Sequence, residues 1–175
     1  MTVWVMLAGL PGTGKSTLAR ALADRVCGAI LDKDRVREAL FPGPLTDYTR
    51  VQDDLCMRAI FHAAAYLTKN ARAEFIFLDG RTYSRREQID DAVSAAEQAG
   101  AAWKILHLIC TDEVAEQRLA RVDAGNPARN RSAALYREIK ARFEEIRLPH
   151  IVVDTTGGVD GLAVDAIVAE LLRGR

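Results

Sequence analysis

Eight residues near the amino terminus, Gly9-Leu10-Pro11-Gly12-Thr13-Gly14-Lys15-Ser16, constrain this chain more than any other feature. An uncharged apolar run, residues 3–8, leads into them, and Leu18, Ala19, Leu22 and Val26 follow at helical spacing. The run reads as a strand buried on both faces, as in a parallel sheet, and the segment from Lys15 to about Val26 as a helix. Between them the glycines let the chain turn tightly, so that successive N–H groups converge in front of the positive end of the helix. That arrangement cradles a phosphate group. In it Lys15 bridges the β- and γ-phosphates of a nucleotide, and the Ser16 hydroxyl is a ligand for Mg²⁺.

The remainder of the sequence repeats the alternation. Further short apolar runs predict strands at 28–31, 75–78, 103–109 and 150–154. Helical patterns are expected over 34–40, 48–69, 85–99, 112–122, 132–146 and 159–172. Strands that alternate with helices make a doubly wound, five-stranded parallel sheet in a three-layer α/β domain. A chain of 175 residues fits one such domain, 1–175. The polar stretch 123–131 is the one long irregular insert, and the segment around 119–133 is expected to be a small lid.

Charge and cysteine content narrow the function. The 24 basic and 24 acidic residues cancel, which disfavours a protein that grips duplex nucleic acid mainly through its phosphates. Cys27, Cys56 and Cys110 lack the paired spacing of a metal or redox motif and read as reduced, packed thiols. His62, His107 and His150 are scattered without ligand spacing and are given no catalytic role. No signal peptide and no run of membrane-spanning length is read, so a cytoplasmic location and no membrane partner are expected.

A second carboxylate is needed at the end of a neighbouring strand to hold the water shell of the metal. Asp79, directly after Phe75-Ile76-Phe77-Leu78, occupies that place, although it also opens the turn Asp79-Gly80. No Asn/Thr-Lys-x-Asp guanine reader occurs, which disfavours a GTP switch. The chain is also short for a transporter ATPase, helicase or ring ATPase and lacks their further motifs. A small ATP-dependent kinase remains.

The residues that separate such kinases point to a family resemblance. Gly9 to Ala19, followed by Leu31-Asp32-Lys33-Asp34-Arg35-Val36-Arg37, Leu78-Asp79-Gly80-Arg81-Thr82 and Val152-Val153-Asp154-Thr155-Thr156, resembles the zeta-toxin/polynucleotide-kinase-like group of P-loop kinases. The resemblance implies that Asp34 accepts the proton of the attacking hydroxyl and that Arg37 steadies the acceptor. Asp32 competes for the first role, and helix capping is the alternative for both aspartates. It further implies nucleotide contacts from Gly9, Gly12, Thr13, Gly14, Lys15, Ser16, Thr17, Arg118 and Thr155. Arg129 or Arg131 would be the guanidinium that moves with the lid, Arg131 being the one placed in the catalytic set. Arg81 reads either as a reporter of an anionic acceptor or as a surface residue paired with Asp90 or Asp91.

The acceptor is expected to be a hydroxyl of a small molecule: a metabolite, nucleotide or antibiotic. Three other readings stay open. Leu31 to Leu40 also resembles a stretch of adenylylsulfate kinases, but Leu78-Asp79-Gly80-Arg81 stands where that family has a different sequence. Arg81, Arg85 and Arg86, with Asp34 and Arg37, suggest a 5′-hydroxyl polynucleotide kinase, so nucleic acid is possible as partner though not favoured. A non-enzymatic ATP-binding switch is the third. Either a monomer or a homodimer is compatible with the sequence.

Overall fold

The computed structural model describes residues 1–121 and 132–173. Five parallel strands, β1 (Val3–Ala8), β2 (Gly28–Asp32), β3 (Phe75–Asp79), β4 (Ala102–Ile109) and β5 (Ile151–Asp154), lie in the order β2-β3-β1-β4-β5. Between and after them run α1 (Lys15–Ala23), α2 (Lys33–Leu40), α3 (Arg50–Lys69), α4 (Arg86–Gln98), α5 (Asp112–Ala120), α6 (Ala133–Ala141) and α7 (Gly161–Leu172). This is the doubly wound parallel sheet expected from the alternation of strands and helices.

The two-residue period of a strand divides β1 between two cores. Val3, Val5 and Leu7 point to one face, where Leu18 and Leu22 of α1 and Val164, Ile167 and Leu171 of α7 cover them. Trp4, Met6 and Ala8 point to the other, against Met57, Ile60 and Ala64 of α3 and Ile89, Ala92 and Ala96 of α4. All six β1 residues are buried, which is why the strand carries no alternation of polar and apolar residues. From β1 the chain turns toward β2 and β3; from β4 it turns toward β5. The crevice beyond the carboxyl ends of the strands is where such sheets bind ligands.

Several element ends differ from the sequence expectation, each for a local reason. The expected helix 132–146 ends at Ala141, and there the chain leaves the helical path to bury Ile146 and to let the Glu144 amide donate to the Ser84 carbonyl at 2.9 Å. The long helix begins at Arg50 rather than Tyr48 because Tyr48 has φ +54°, outside the right-handed helical region, and the Thr49 hydroxyl caps the helix through the Gln52 amide. Similarly, α1 stops at Ala23, three residues before Val26, and Asp160 caps α7 through the Ala163 amide at 2.8 Å. The insert 123–131, with Arg129 and Arg131, lies outside the described residues, as does most of the expected lid.

Candidate active site

The phosphate end of the site is built by the turn between β1 and α1. Gly14 caps α1 in the left-handed region at φ +83°; no side chain caps this helix and its first turn holds no acidic residue. An anion is the natural partner for a helix start left in this condition. Gly9 is required for space as well as for its φ of +139°, since a Cβ there would stand 2.3 Å from the Leu108 carbonyl oxygen. The Gly9 amide also donates to the Thr82 carbonyl at 3.0 Å, which ties the loop to the turn after β3. Lys15 is buried, its amine folded onto the loop and donating to the carbonyls of Gly9 at 2.8 Å and Leu10 at 2.7 Å. Thr13 donates its hydroxyl to Leu10 at 2.8 Å, while Ser16 is half-buried and Thr17 exposed in the first turn of α1.

Arg118 and Thr155 join this loop from two distant parts of the chain. Arg118, on α5, donates to the Thr155 carbonyl at 2.6 Å, to its hydroxyl at 3.1 Å and to the Gly12 carbonyl at 3.3 Å. The Thr155 hydroxyl in turn donates to the Thr13 carbonyl at 2.9 Å. The guanidinium stands 3.8 Å from where a Gly14 Cβ would be, so it borders the loop. Replacing Arg118 by alanine removes one charge-assisted contact to the loop, at Gly12, and two to Thr155, which itself donates to the loop at Thr13. It is expected to weaken Mg-ATP binding about tenfold or more; calorimetric titration with the wild-type affinity would contradict this placement.

Asp79 closes β3 opposite Asp32, its register partner on β2. It is 2% exposed, and its Oδ1 has no hydrogen-bond partner among the described residues. A buried carboxylate oxygen left in this state suits a cation or a cation's water. Among the described residues no cluster of three His, Cys, Asp or Glu side chains could hold a metal alone. Mg²⁺ fits that donor set, because it keeps most of its ligands as water and phosphate oxygens and needs only one or two from protein. Ser16 and Asp79 are the residues that would hold it.

The Asp79-Gly80 turn also brings β2 and α2 against the site. Gly80 has φ +82°, and a Cβ there would meet Asp32 Oδ1 and the Lys33 amide nitrogen at 2.9 Å each, and the Asp34 amide nitrogen at 3.1 Å. Only a glycine allows this approach. Gly80→Ala is therefore expected to cost about 1–3 kcal/mol of stability and to displace the start of α2. Chemical denaturation gives the measurement, and an unchanged midpoint would contradict it.

The beginning of α2 settles which aspartate caps it. Asp32 Oδ1 accepts from the Asp34 amide at 2.8 Å and the Arg35 amide at 3.4 Å, so Asp32 is the cap. Burial raises the Asp32 carboxyl, and the neighbouring Asp79 carboxylate adds to this, while the amide bonds work the other way. Asp34 is left with its side chain toward a cleft of about 330 Å³ that also takes in Lys15, Arg37 and Arg81. Asp34 and Arg37 form a 2.8 Å ion pair, with both side chains almost fully buried.

Lys33, Asp53, Asp54 and Tyr48 complete this end. Lys33 donates to Asp53 at 3.0 Å and lies 3.6 Å from Asp34; Asp53 also pairs with Arg37. Burial is the largest influence on Lys33 and brings its amine down to about 8; the Asp34 carboxylate opposes this, and the Arg37 and Arg81 cations add to it. The Arg37 guanidinium sits 5.1 Å over the Tyr48 ring. Arg81 corrects the expectation of a surface pair with Asp90 or Asp91: it is 4% exposed, lines the cleft and pairs with Asp54 of α3 at 2.6 Å. Among the described residues that line the cleft there is no histidine. His107 stacks on Phe143 and meets His150 edge-on, and burial, reinforced by the His150 charge, lowers it.

Fold and site together define a P-loop NTPase. A family model described as an AAA domain (AAA_33) matches residues 4–146, and the chain belongs to that family. Among solved structures it resembles a candidate kinase from Chloroflexus aurantiacus, with a TM-score of 0.74 and 22% identity over 97% of this chain and 96% of the other. The Mycobacterium tuberculosis APS kinase CysC, solved with AMPPNP and APS, gives a TM-score of 0.65 at 17% identity, covering 98% of this chain and 95% of that one. The tunicamycin resistance protein of Deinococcus radiodurans gives 0.69 at 19% identity, covering 98% and 96%. At these identities the likeness is one of fold: that of the small P-loop kinases. The comparison with curated proteins gives no match. No helix of the described residues is long and apolar enough to cross a membrane.

Proposed function

We propose that this chain is an ATP-dependent kinase that transfers the γ-phosphoryl group to a hydroxyl of a small molecule. The observation that carries the proposal is that Lys15, from the phosphate loop, and Asp34, from the start of α2, line the same cleft. A nucleotide seated on the Gly9 to Thr17 loop presents its terminal phosphate there, beside the place where an acceptor can stand.

The bond between the γ-phosphorus and the β,γ-bridging oxygen breaks, a bond forms from the acceptor oxygen to that phosphorus, and ADP leaves. The hydroxyl proton passes to Asp34 as the new bond forms. Asp34 is ion-paired with Arg37, which fixes its carboxylate to orient the hydroxyl. That suits a loose transition state, in which positioning and charge neutralisation count for more than base strength. Lys15 turns its amine from the Gly9 and Leu10 carbonyls to the phosphate oxygens that gain charge. Arg118 and Thr155 hold the nucleotide side of the loop. Ser16 and Asp79 would hold Mg²⁺, which when bound would supply charge neutralisation to the nucleotide phosphates.

The polynucleotide kinase reading is less well supported, because the 24 basic and 24 acidic residues cancel and leave no strong positive field to hold a nucleic-acid backbone. Arg85, one of the basic residues that suggested it, is paired with Glu87 at 3.2 Å. A panel of hydroxyl acceptors, including a 5′-hydroxyl oligonucleotide, assayed for ADP release tests the choice. The expected result is ADP formation that depends on one class of small alcohol. Release with the oligonucleotide alone would favour the second reading, and ATP binding with no acceptor-dependent release would favour a switch.

A further inference from the structure

The acceptor end of the cleft has an unusual division of charge. Lys33, Arg37 and Arg81 line it and are 7%, 3% and 4% exposed, whereas Asp34, at 5%, is the one carboxylate of its lining among the described residues that is equally buried. The Asp34 carboxylate is engaged with Arg37. Lys33, which also lies 3.6 Å from Asp34, pairs with Asp53, itself shared with Arg37, and Arg81 pairs with Asp54; these two α3 carboxylates are 27% and 37% exposed. Buried cations are thus balanced by carboxylates nearer the solvent, reached across the cleft from a different element.

Two details indicate that this pairing stands in for something else. Arg81 Nε is buried without a hydrogen-bond partner among the described residues, so Asp54 meets only part of a guanidinium that is built to bind an oxyanion through several N–H groups. The segment that leads into the acidic start of α3 passes through Tyr48 in the left-handed region, at φ +54°, a backbone state that costs energy in a non-glycine residue and clusters at ligand sites. Gly80 packs the turn after β3 closely against the Lys33 amide, which sets the backbones that carry Lys33 and Arg81 side by side. Buried cations faced by more exposed carboxylates suit a bound oxyanion.

We propose that the acceptor carries, besides its hydroxyl, a phosphate or sulfate group, and that Lys33 and Arg81 bind this group in place of Asp53 and Asp54. The proposal rests on the kinase reading above and names its substrate class: an alcohol that already bears a tetrahedral oxyanion. A cleft of about 330 Å³ accommodates such a compound and lies within the size range of small-molecule sites. Specificity follows from the same chemistry. A neutral alcohol leaves both cations with their internal carboxylates and gains nothing from them, while an oxyanion on the acceptor is held at a fixed distance from the hydroxyl that faces Asp34.

The test uses the full chain saturated with Mg-AMPPNP, so that the phosphate loop is filled, titrated calorimetrically with sodium sulfate and separately with inorganic phosphate. The expected result is uptake of one equivalent of either or both anions, the preference between them showing which oxyanion the site is shaped for. Arg81→Gln and Lys33→Gln should each weaken the uptake about tenfold or more. Asp53→Asn should strengthen it about threefold or more, because it removes a competing carboxylate; this gain of affinity is not open to a protein that has merely lost its fold. Absence of sulfate and phosphate uptake by the AMPPNP-loaded wild type overturns the proposal and leaves the kinase reading in place. Uptake that is indifferent to all three substitutions also overturns it. Failure of AMPPNP itself to bind overturns the kinase reading and this proposal with it.

Discussion

Lys15→Ala is expected to reduce turnover by about 10²–10³-fold or more, with little change in folding. The amine is the cation placed by the phosphate loop itself, and at rest it donates to the carbonyls of Gly9 and Leu10. Both are main-chain oxygens of a loop whose path is fixed by β1 and α1 on either side, so the fold loses little. The transferring phosphoryl group loses a positive charge placed in advance where negative charge grows, and nothing in the Lys15→Ala site replaces it. Steady-state ADP release and thermal melting measure the two effects separately. A variant that keeps its turnover would show that Lys15 does not meet the nucleotide, and one that melts far below the wild type would show that its role is structural.

Asp34→Asn is expected to lower transfer by about 10²–10⁴-fold while nucleotide affinity stays nearly unchanged. The asparagine has the same shape but accepts no proton and no longer balances Arg37 at 2.8 Å or Lys33 at 3.6 Å. Because breaking a buried ion pair leaves cations without full compensation, a loss of stability up to about 3 kcal/mol accompanies it. Asp32→Ala is the control that separates position from chemistry. It removes the cap of α2 at a cost of about 1 kcal/mol but leaves the Asp34 carboxylate in the cleft. Turnover should therefore survive Asp32→Ala and fail in Asp34→Asn. The reverse order would move the acceptor base to Asp32.

The sequence made the phosphate end of the site readable because every part of it is local. An apolar run, three spaced glycines, a lysine and a helical repeat lie within residues 3–26, and each dictates its own backbone. The structure joins them as β1, loop and α1 with only the helix end shifted. Arg118 and Thr155 were reachable through the family resemblance alone, since nothing in their own neighbourhoods announces that they meet across 37 residues beside Gly12 and Thr13.

The acceptor end was far less legible. Asp32 and Asp34 are equivalent in sequence, and only the geometry of the turn, with Asp32 in extended conformation at φ −100°, decides that one caps and the other faces the cleft. Asp53 and Asp54 look like ordinary solvated residues of a long helix. Their importance comes from the packing of α3 over the ends of β2 and β3, which brings them to Lys33, Arg37 and Arg81. The same cause defeated the expectation for Arg81: Asp90 and Asp91 are nearer in sequence, but Asp54 is the carboxylate that α3 delivers. Tyr48 carried no signal either, because a left-handed backbone at a tyrosine is imposed by its surroundings and not by its residue type.

The claim on which the rest depends is that the loop from Gly9 to Thr17 holds a nucleoside triphosphate with Mg²⁺. Titration of the purified full chain with Mg-ATP, alongside Lys15→Ala, tests it most directly. The account predicts one equivalent bound by the wild type, weakened when Mg²⁺ is withheld and weakened again in the variant. A wild-type protein that takes up no Mg-ATP, or one whose uptake is the same with and without the Lys15 amine, would contradict it.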